Sequence, residues 1–175
     1  TSIEASLDRN NISVSVYDNL INSVHNNLES MYKYMSIRKR ALEVDELHMY
    51  DLYTPIVKDV EYNIAYDEAV EIVKKGLQPL GEEYMAIVEE GFSTRWIDVF
   101  ENRGKRSGAY SSGSYDSKPY ILLNYHNTLD NVFTIAHEMG HSVHSYLTRK
   151  YQPYIYGNYS IFLAEIASTL NECLL

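Results

Sequence analysis

One stretch of this chain combines a strong helical pattern with a cluster of titratable side chains: residues 128–146, which read TLDNVFTIAHEMGHSVHSY. Thr128 can act as an N-cap, and Asp130 follows in the first turn, where a carboxylate meets the exposed N–H groups and the positive end of the helix dipole. Apolar or small residues then recur at helical spacing: Leu129, Val132, Phe133, Ala136, Met139, Gly140 and Val143. The pattern predicts a helix that begins here and buries one side.

Two histidines and a glutamate lie in the middle of this predicted helix. His137 and His141 are four residues apart, which places both imidazoles on one face about one turn apart and supplies half of a tetrahedral zinc site. Glu138 can reach a water held by such a metal without ligating it, as the general base does in H-E-x-x-H metallopeptidases. Gly140 leaves room for a close approach to the backbone. We predict a catalytic site with one zinc per chain; the alternative is an ordinary helix-face pair beside a solvated glutamate.

The third ligand is predicted from the end of the chain. After a tyrosine-rich loop at residues 151–159, Ser160 is expected to cap a last helix at residues 161–175. Its apolar residues form one stripe: Ile161, Phe162, Ile166, Leu170 and Leu174. Glu165 and Glu172 share another side, and a carboxylate in an apolar turn is costly to bury unless it is paired or bound to metal. We predict Glu165 as the third ligand, which leaves one position open for water.

Two further side chains have predicted roles around these ligands. Glu172 is the first substitute if Glu165 lies too far away, but we expect it to orient a ligand histidine instead. His144 follows His141 by three residues, and we expect it either to touch a ligand or to lie at the surface.

The first half of the chain reads as a helical scaffold. Helices are predicted at residues 13–26, 28–42 and 67–75, with Gly76 as a stop, and Pro79 is expected to open another helix that ends before Gly91. The basic run Arg38, Lys39, Arg40 is interpreted as a solvated helix end. We expect a single partial catalytic domain, with residues 1–91 as scaffold and residues 92–175 as a β ribbon plus the zinc-binding helices.

Residues 92–123 are rich in glycine, serine and threonine, which breaks the helical pattern. Residues 107–112 and 119–125 read as short strands, so a small antiparallel ribbon is predicted immediately before the helix that carries the histidines. The fold class is therefore mainly α with one small ribbon. The ribbon could offer an unpaired edge to an extended peptide, or it could simply pack on the helix; the sequence leaves both readings open.

Composition excludes several classes of function. With 175 residues, 45% of them hydrophobic, the chain can bury a sizeable core, and no apolar run is long enough to span a membrane. A net charge of −9 argues against a nucleic-acid partner. The single cysteine, Cys173, fits a reducing compartment, so we expect a cytoplasmic protein. The first residue is not Met and no C-cap follows the last helix, so we expect a fragment; oligomeric state is not predicted.

Four motifs resemble the thimet oligopeptidase and oligoendopeptidase F family of zinc metallopeptidases. They are HEMGH at 137–141, FLAEIAST at 162–169, GKRSGAYSSGSYDSKPYILLNY at 104–125 and DELHMYDLY at 45–53, the last of which is similar to the bacterial oligoendopeptidase F branch. The resemblance implies an almost wholly helical fold around a deep channel that admits short, unfolded oligopeptides and excludes folded proteins. It also implies that His137, His141 and Glu165 bind zinc and that Glu138 is the catalytic base.

The resemblance further implies that Gly108, Ala109 and Tyr110 form the strand that pairs with the substrate backbone. Family members run well beyond their third ligand, and later His and Tyr residues bind substrate and stabilise the oxyanion, so we expect this chain to lack them. A peptidyl-dipeptidase of the angiotensin-converting type is an alternative, although that family has Asp four residues after the ligand Glu and this chain has Thr169. The non-enzyme alternative is a peptide-binding module without catalysis.

Overall fold

The structure of the chain is a computed structural model that describes residues 2–57 and 62–175. Contacts divide it into two compact units, Thr1–Glu61 and Tyr62–Leu175. Both units are built mainly of helices, and the second also contains one small sheet, which confirms the predicted fold class. The predicted division at residues 91 and 92 stays a prediction. In the described ranges, no helix is both long enough and apolar enough to cross a membrane.

The first unit contains three α-helices and a 3-10 turn: α1 (Ile3–Asp8), α2 (Val14–Asn26), α3 (Leu28–Ala41) and the turn Met49–Tyr53. Ser13 caps α2, where its side chain accepts a hydrogen bond from the Ser15 N–H. Apolar residues recur at helical spacing in α2, but Leu20 and Val24 are 62% and 53% exposed and α2 buries no residue.

Arg38 corrects the interpretation of the basic run at the end of α3. It is buried, and its guanidinium donates to the backbone carbonyls of Asp51 at 2.6 Å and Thr54 at 2.7 Å. Lys39 and Arg40 remain exposed. Arg38 therefore ties α3 to the 3-10 turn, because a buried guanidinium must have hydrogen-bond partners.

The second unit places the chain's main hydrophobic core between helices and sheet. Its helices are α4 (Tyr66–Leu77), α5 (Glu82–Ser93), α6 (Leu129–Tyr151) and α7 (Ile161–Cys173), with 3-10 turns at Gln78–Leu80 and Tyr154–Tyr156. Largest among the fully buried apolar side chains are Val73, Leu77, Val88, Ile121, Val132, Ile135, Met139 and Val143. Four of these eight lie on α6, so α6 is the helix around which this unit packs.

Three predicted boundaries in α4 and α5 were wrong. Gly76 lies inside α4 rather than ending it, and Pro79 lies in the 3-10 turn before α5 rather than opening α5. Gly81, with a φ of 90°, makes the break between the helices, since that conformation is open to glycine at little cost. Gly91 lies inside α5, where an added Cβ would meet the Trp96 ring at 3.0 Å. Gly91 therefore serves the packing of α5 against Trp96 and Met139 and does not end the helix.

The predicted antiparallel ribbon is confirmed, in a shorter form and with one extra strand. Strand β2 (Tyr110–Ser112) pairs antiparallel with β3 (Tyr120–Leu122), with Ser111 opposite Ile121. A two-residue strand, β1 (Ile97–Asp98), pairs parallel with the other side of β3, so the order is β1-β3-β2. Sequence patterns missed β1 because two residues are too few to show an alternation. Strand β2 is therefore an edge strand.

Helix α7 packs on α6 through its small and polar residues, which corrects the predicted stripe. Its buried residues are Ala164, Ser168 and Asn171, whereas Ile161 and Ile166 of the apolar stripe are 64% and 56% exposed. Ser160 takes the N-cap position without the expected side-chain hydrogen bond. Gly140 explains the close packing: a Cβ there would lie 2.7 Å from both the Ala167 carbonyl oxygen and the Ser168 Cα. The two helix backbones meet where a side chain is absent.

Replacing Gly140 by Ala should therefore force α6 and α7 apart. Overpacking of this kind costs about 1–3 kcal/mol, so the thermal unfolding midpoint of the complete protein should fall. Gly76→Ala is the matched control within a helix, because the atom nearest to its new Cβ is Leu175 Cδ1 at 2.9 Å, the end of a flexible side chain. Equal midpoints for the two variants would contradict the close-packing account.

Candidate metal centre

Helix α6 carries the first two predicted ligands in the geometry expected from the sequence. The Thr128 side chain caps the helix by accepting from the Asn131 N–H at 3.2 Å, as predicted. Two turns later, the Nε2 atoms of His137 and His141 lie 3.1 Å apart, with the rings edge to face. The helix therefore points both nitrogens at a common position.

Glu165 on α7 brings a carboxylate to the same position. Its Oε2 lies 3.4 Å from His137 Nε2 and 3.6 Å from His141 Nε2. Ser168, which is buried, places its Oγ 2.9 Å from that carboxylate oxygen. Among the described residues, these three side chains are the ones whose ligand atoms converge closely enough to hold a metal ion.

The spacing of these atoms fits a tetrahedral ion. Ligand atoms at about 2.0–2.2 Å from a tetrahedral zinc lie roughly 3.3–3.6 Å from one another. The two separations to Glu165 Oε2, 3.4 and 3.6 Å, lie in that range, and the 3.1 Å between the two histidine nitrogens is slightly shorter. Two imidazole nitrogens and one carboxylate oxygen are also the donor set of catalytic zinc sites.

Glu172 contacts His137 on the side of the ring that faces away from the ligand cluster. Its Oε1 lies 2.5 Å from His137 Nδ1, on the ring edge opposite the nitrogen that faces His141 and Glu165. A proton on Nδ1, donated to this carboxylate, leaves the Nε2 lone pair free for a metal. Glu172 thus contacts a histidine that the sequence predicts as a ligand, and its role in orienting that ligand stays a prediction.

The surroundings of His141 favour its neutral form. Burial lowers the pKa of His141, and the neighbouring His137 lowers it further, while Glu165 and the Ala164 backbone carbonyl act in the opposite direction. A histidine must be neutral at the nitrogen that binds a metal. His144 lies one turn further along α6 and stacks on Tyr159, with ring centroids 3.8 Å apart, so it belongs to the helix packing and not to the ligand cluster.

Glu138 is buried next to the ligand cluster and does not belong to it. Burial raises the pKa of its carboxyl group, whereas the charge of His137 and the backbone N–H of Ser111 lower it. Its Oε2 has no hydrogen-bond partner among the described residues. A buried carboxylate oxygen without a protein partner fits a site that receives a water molecule.

Ala109, the residue before strand β2, lines a recess that also includes residues of the ligand cluster. The recess has a volume of about 300 Å³ and is lined by Ala109, His137, Glu138 and Glu172, with Phe133 and Thr134 at its side. Of the three residues expected to pair with substrate, Tyr110 lies in β2, while Gly108, with a φ of 86°, and Ala109 lead into it. Asn124 fixes this approach by donating to the Gly108 carbonyl at 2.8 Å.

A second cavity, of about 370 Å³, lies beside the recess and shares part of its lining. Ala109, Asp130 and Thr134 contribute to both, and the cavity extends between residues 105–109, the loop after β3 and the first turns of α6. The recess is thus continued along α6 by a second space.

Two contacts around the site were not predicted from the sequence. Ser111 on β2 and the fully buried Ser142 on α6 lie 2.8 Å apart between their Oγ atoms, so the edge strand is tied to the helix beside His141. Asn171 on α7 donates to the Ala136 carbonyl at 3.0 Å and accepts from the Tyr84 hydroxyl at 2.9 Å. Serines and asparagines carry no periodic signal, and their partners lie far away in sequence, so only the fold reveals these contacts.

Comparison with known proteins places this geometry in a peptidase class. The model of Peptidase family M3 matches residues 1–175 of the chain. Oligopeptidase PepF of Bacillus subtilis is 58% identical over 172 residues, and the chromosomal oligoendopeptidase F of Lactococcus lactis subsp. cremoris is 51% identical over 172 residues. A solved structure from Chlamydophila abortus superposes with a TM-score of 0.82 at 51% identity, covering 98% of this chain and 29% of that one.

The matched family and relatives are peptidases by name, and the matched residues include the H-E-x-x-H helix and the glutamate-bearing helix packed on it. This chain belongs to peptidase family M3. The family resemblance read from the motifs is thereby confirmed. Each of the two curated relatives is matched over 98% of this chain, which spans 26% and 28% of their lengths.

Glu172→Ala should weaken zinc binding by about 10- to 100-fold, because His137 loses the group that fixes its ring and tautomer. Glu172→Gln keeps an acceptor for the Nδ1 proton of His137 and should lose less zinc affinity than Glu172→Ala. Zinc dissociation constants, measured by competition with a chelator, provide the comparison, with the exposed Glu82→Gln on α5 as the control. Equal affinity in wild type and Glu172→Ala would exclude this role.

Proposed function

We propose that this chain forms the zinc-binding part of an endopeptidase that hydrolyses short, unfolded oligopeptides. The observation that carries the proposal is the convergence of His137 Nε2, His141 Nε2 and Glu165 Oε2 within 3.1–3.6 Å beside the buried, unpartnered Glu138 oxygen. Ligands supplied by three side chains leave one tetrahedral position open for chemistry. Family M3 membership and the names of the relatives support the same class of reaction.

His137, His141 and Glu165 are the proposed zinc ligands, and Glu172 orients His137. When zinc is bound there, it supplies Lewis acidity, which polarises the scissile carbonyl and makes water more acidic. The two histidines bind in their neutral forms, and the carboxylate of Glu165 partly balances the charge of the cation.

Glu138 is the proposed general base. It accepts a proton as water attacks the scissile carbonyl, and it then donates that proton to the leaving amine. Burial suits it to this task, because a desolvated carboxylate holds a proton more readily than a solvated one. The fixed position of Glu138 on α6, between the two histidines in sequence, keeps its carboxylate next to the reacting groups while leaving it outside the ligand set.

The substrate is proposed to bind as an added strand along the open edge of β2. In the described part of the chain, β2 pairs with β3 alone, so its other edge presents main-chain groups to a peptide. Hydrogen bonds between main chains hold a peptide with little dependence on its sequence. Ala109 lines the recess above the ligand cluster, so a peptide paired with residues 108–110 would run past the reacting position.

Two features speak against the alternatives. Thr169 stands four residues after Glu165, where the angiotensin-converting type has Asp, and it offers a hydroxyl bonded to the Glu165 backbone carbonyl in place of a carboxylate. A peptide-binding module has no use for a buried carboxylate beside its metal, whereas a hydrolase needs one. The endopeptidase reading is therefore preferred.

Glu138→Gln tests the base directly. Gln is nearly isosteric but cannot accept the proton, so peptide hydrolysis by the complete protein should fall by at least about 10²–10⁴-fold while zinc content is kept. His137→Ala should lose the zinc itself. Elemental analysis alongside a peptide-cleavage assay separates the two effects, and near-normal hydrolysis by Glu138→Gln would refute the assignment.

Peptides of graded length, each also made with a single N-methylated amide, test the strand-like binding. A lost main-chain hydrogen bond costs about 0.5–1.5 kcal/mol, so N-methylation near the cleaved bond should lower kcat/KM by roughly two- to tenfold. N-methylation at the far end of a long peptide is the control. Efficient cleavage of a folded protein, or indifference to N-methylation everywhere, would contradict the proposal.

A further inference from the structure

The axial position of α7 along α6, their relative height, has to be fixed for the proposed site to form, because the ligands are divided between the two helices. Glu165 is on α7, and its partners His137 and His141 are on α6. Sliding one helix by a single residue would move Glu165 by about 1.5 Å. Metal–ligand distances tolerate only about 0.2 Å, so the relative height of the helices must be fixed by something in their interface.

Apolar packing between these helices is poorly suited to fixing that height. The buried α7 residues include the small Ala164 and Ser168, and the α7 backbone at Ala167 and Ser168 lies against Gly140. The large apolar residues of α7 are exposed instead, so no bulky side chain of α7 interlocks with α6 in the described residues. Two helix surfaces made of small residues restrain sliding along the helix axis only weakly, because interdigitated large side chains are what hold packed helices in register.

Asn171 supplies a directional contact at this interface. It is 1% exposed, and its Nδ2 donates at 3.0 Å to the carbonyl of Ala136, the residue before His137. Its Oδ1 accepts from the Tyr84 hydroxyl of α5 at 2.9 Å, which fixes the orientation of the amide. The hydrogen bond to Ala136 is buried and the one to Tyr84 is partly buried, so breaking the first leaves a buried polar group without a partner.

We propose that Asn171 is a positioning residue for the metal centre: it sets the height of α7 against α6, and thereby places Glu165 and Glu172 at His137. The inference rests on the proposed zinc site and adds a residue that touches neither the ion nor the substrate. Asn171 can have this influence because Ala136, which accepts its hydrogen bond, directly precedes His137. Asn171 itself directly precedes Glu172 and follows Glu165 by six residues in the same helix.

Asn171→Leu is the first test, because it keeps a similar volume while removing both hydrogen bonds. Zinc affinity of the complete protein, measured by competition with a chromophoric chelator, should fall by about 10- to 100-fold, the range typical of lost outer contacts at a metal site. Tyr84→Phe leaves the bond to Ala136 in place and should lose less affinity than Asn171→Leu. Leu170→Ala, an exposed neighbour on α7, is the matched control and should bind zinc as wild type does.

Thermal unfolding of the metal-free proteins separates positioning from general stability. If Asn171→Leu lowers the unfolding midpoint but binds zinc with wild-type affinity well below that midpoint, the role is structural only and the proposal is overturned. Asn171→Asp, which can accept from Tyr84 but cannot donate to Ala136, tests the same bond if Asn171→Leu does not fold. Failure of the wild-type protein to bind zinc would instead overturn the proposed function on which the inference rests.

Discussion

The contact between the Gly140 backbone and the backbone of α7 is the constraint on which the rest of the site depends. Two helices that each presented ordinary side chains would lie about 8–10 Å apart, whereas a Cβ at Gly140 would already overlap Ala167 and Ser168. The absence of that one side chain lets α7 approach closely enough for the short reach of a glutamate to meet two histidines. Glycine in mid-helix costs helix stability, and what it permits here is the close approach of α7.

Further contacts follow from this close approach. With α7 so near, Asn171 reaches the Ala136 carbonyl, and Glu172 reaches the far nitrogen of His137. Strand β2 closes the opposite side of α6 through the Ser111–Ser142 contact, which buries Glu138 beneath the strand edge. The same helix thus presents the two proposed metal ligands towards Glu165 of α7 and the buried carboxylate of Glu138, the proposed base, towards the recess. One side of α6 packs against α7 and another side packs against β2, which accounts for the different surroundings of the adjacent residues His137 and Glu138.

Much of α6 could be predicted from the sequence because its signals are local. A capping threonine, an acidic first turn, a regular apolar spacing and the H-E-x-x-H motif all lie within 20 residues and agree with one another. Glu165 was selected by the argument that a carboxylate in an apolar turn would be buried. Its side chain is in fact 55% exposed, and its apolar neighbours on α7, such as Ile161 and Ile166, are exposed as well. The structure brings Glu165 to the histidines because the small face of α7 is the one that packs, which the hydrophobic stripe alone could not indicate.

The features that the sequence did not reveal depend on distant partners. Arg38 reads as one more cation in a basic run until its carbonyl partners, 13 and 16 residues away, are placed beside it. Gly76 and Gly91 resemble helix stops, yet both lie inside helices, with neighbours that only the fold supplies. Asn171 joins α7 to residues 35 and 87 positions earlier in the chain. Local sequence patterns therefore predicted the helices and strands and the candidate residues on them. Packing decided which side of each helix faces the candidate site.

The central claim is that α6 and α7 together bind one zinc through His137, His141 and Glu165. X-ray absorption spectroscopy at the zinc edge of the complete protein, compared between wild type and Glu165→Ala, tests it most directly. The account predicts nitrogen and oxygen ligands at about 2.0–2.2 Å, including two imidazoles in wild type, and the loss of one protein oxygen ligand or of the zinc itself in Glu165→Ala. A wild-type spectrum without two imidazole ligands, or identical zinc content and spectra in the two proteins, would contradict it.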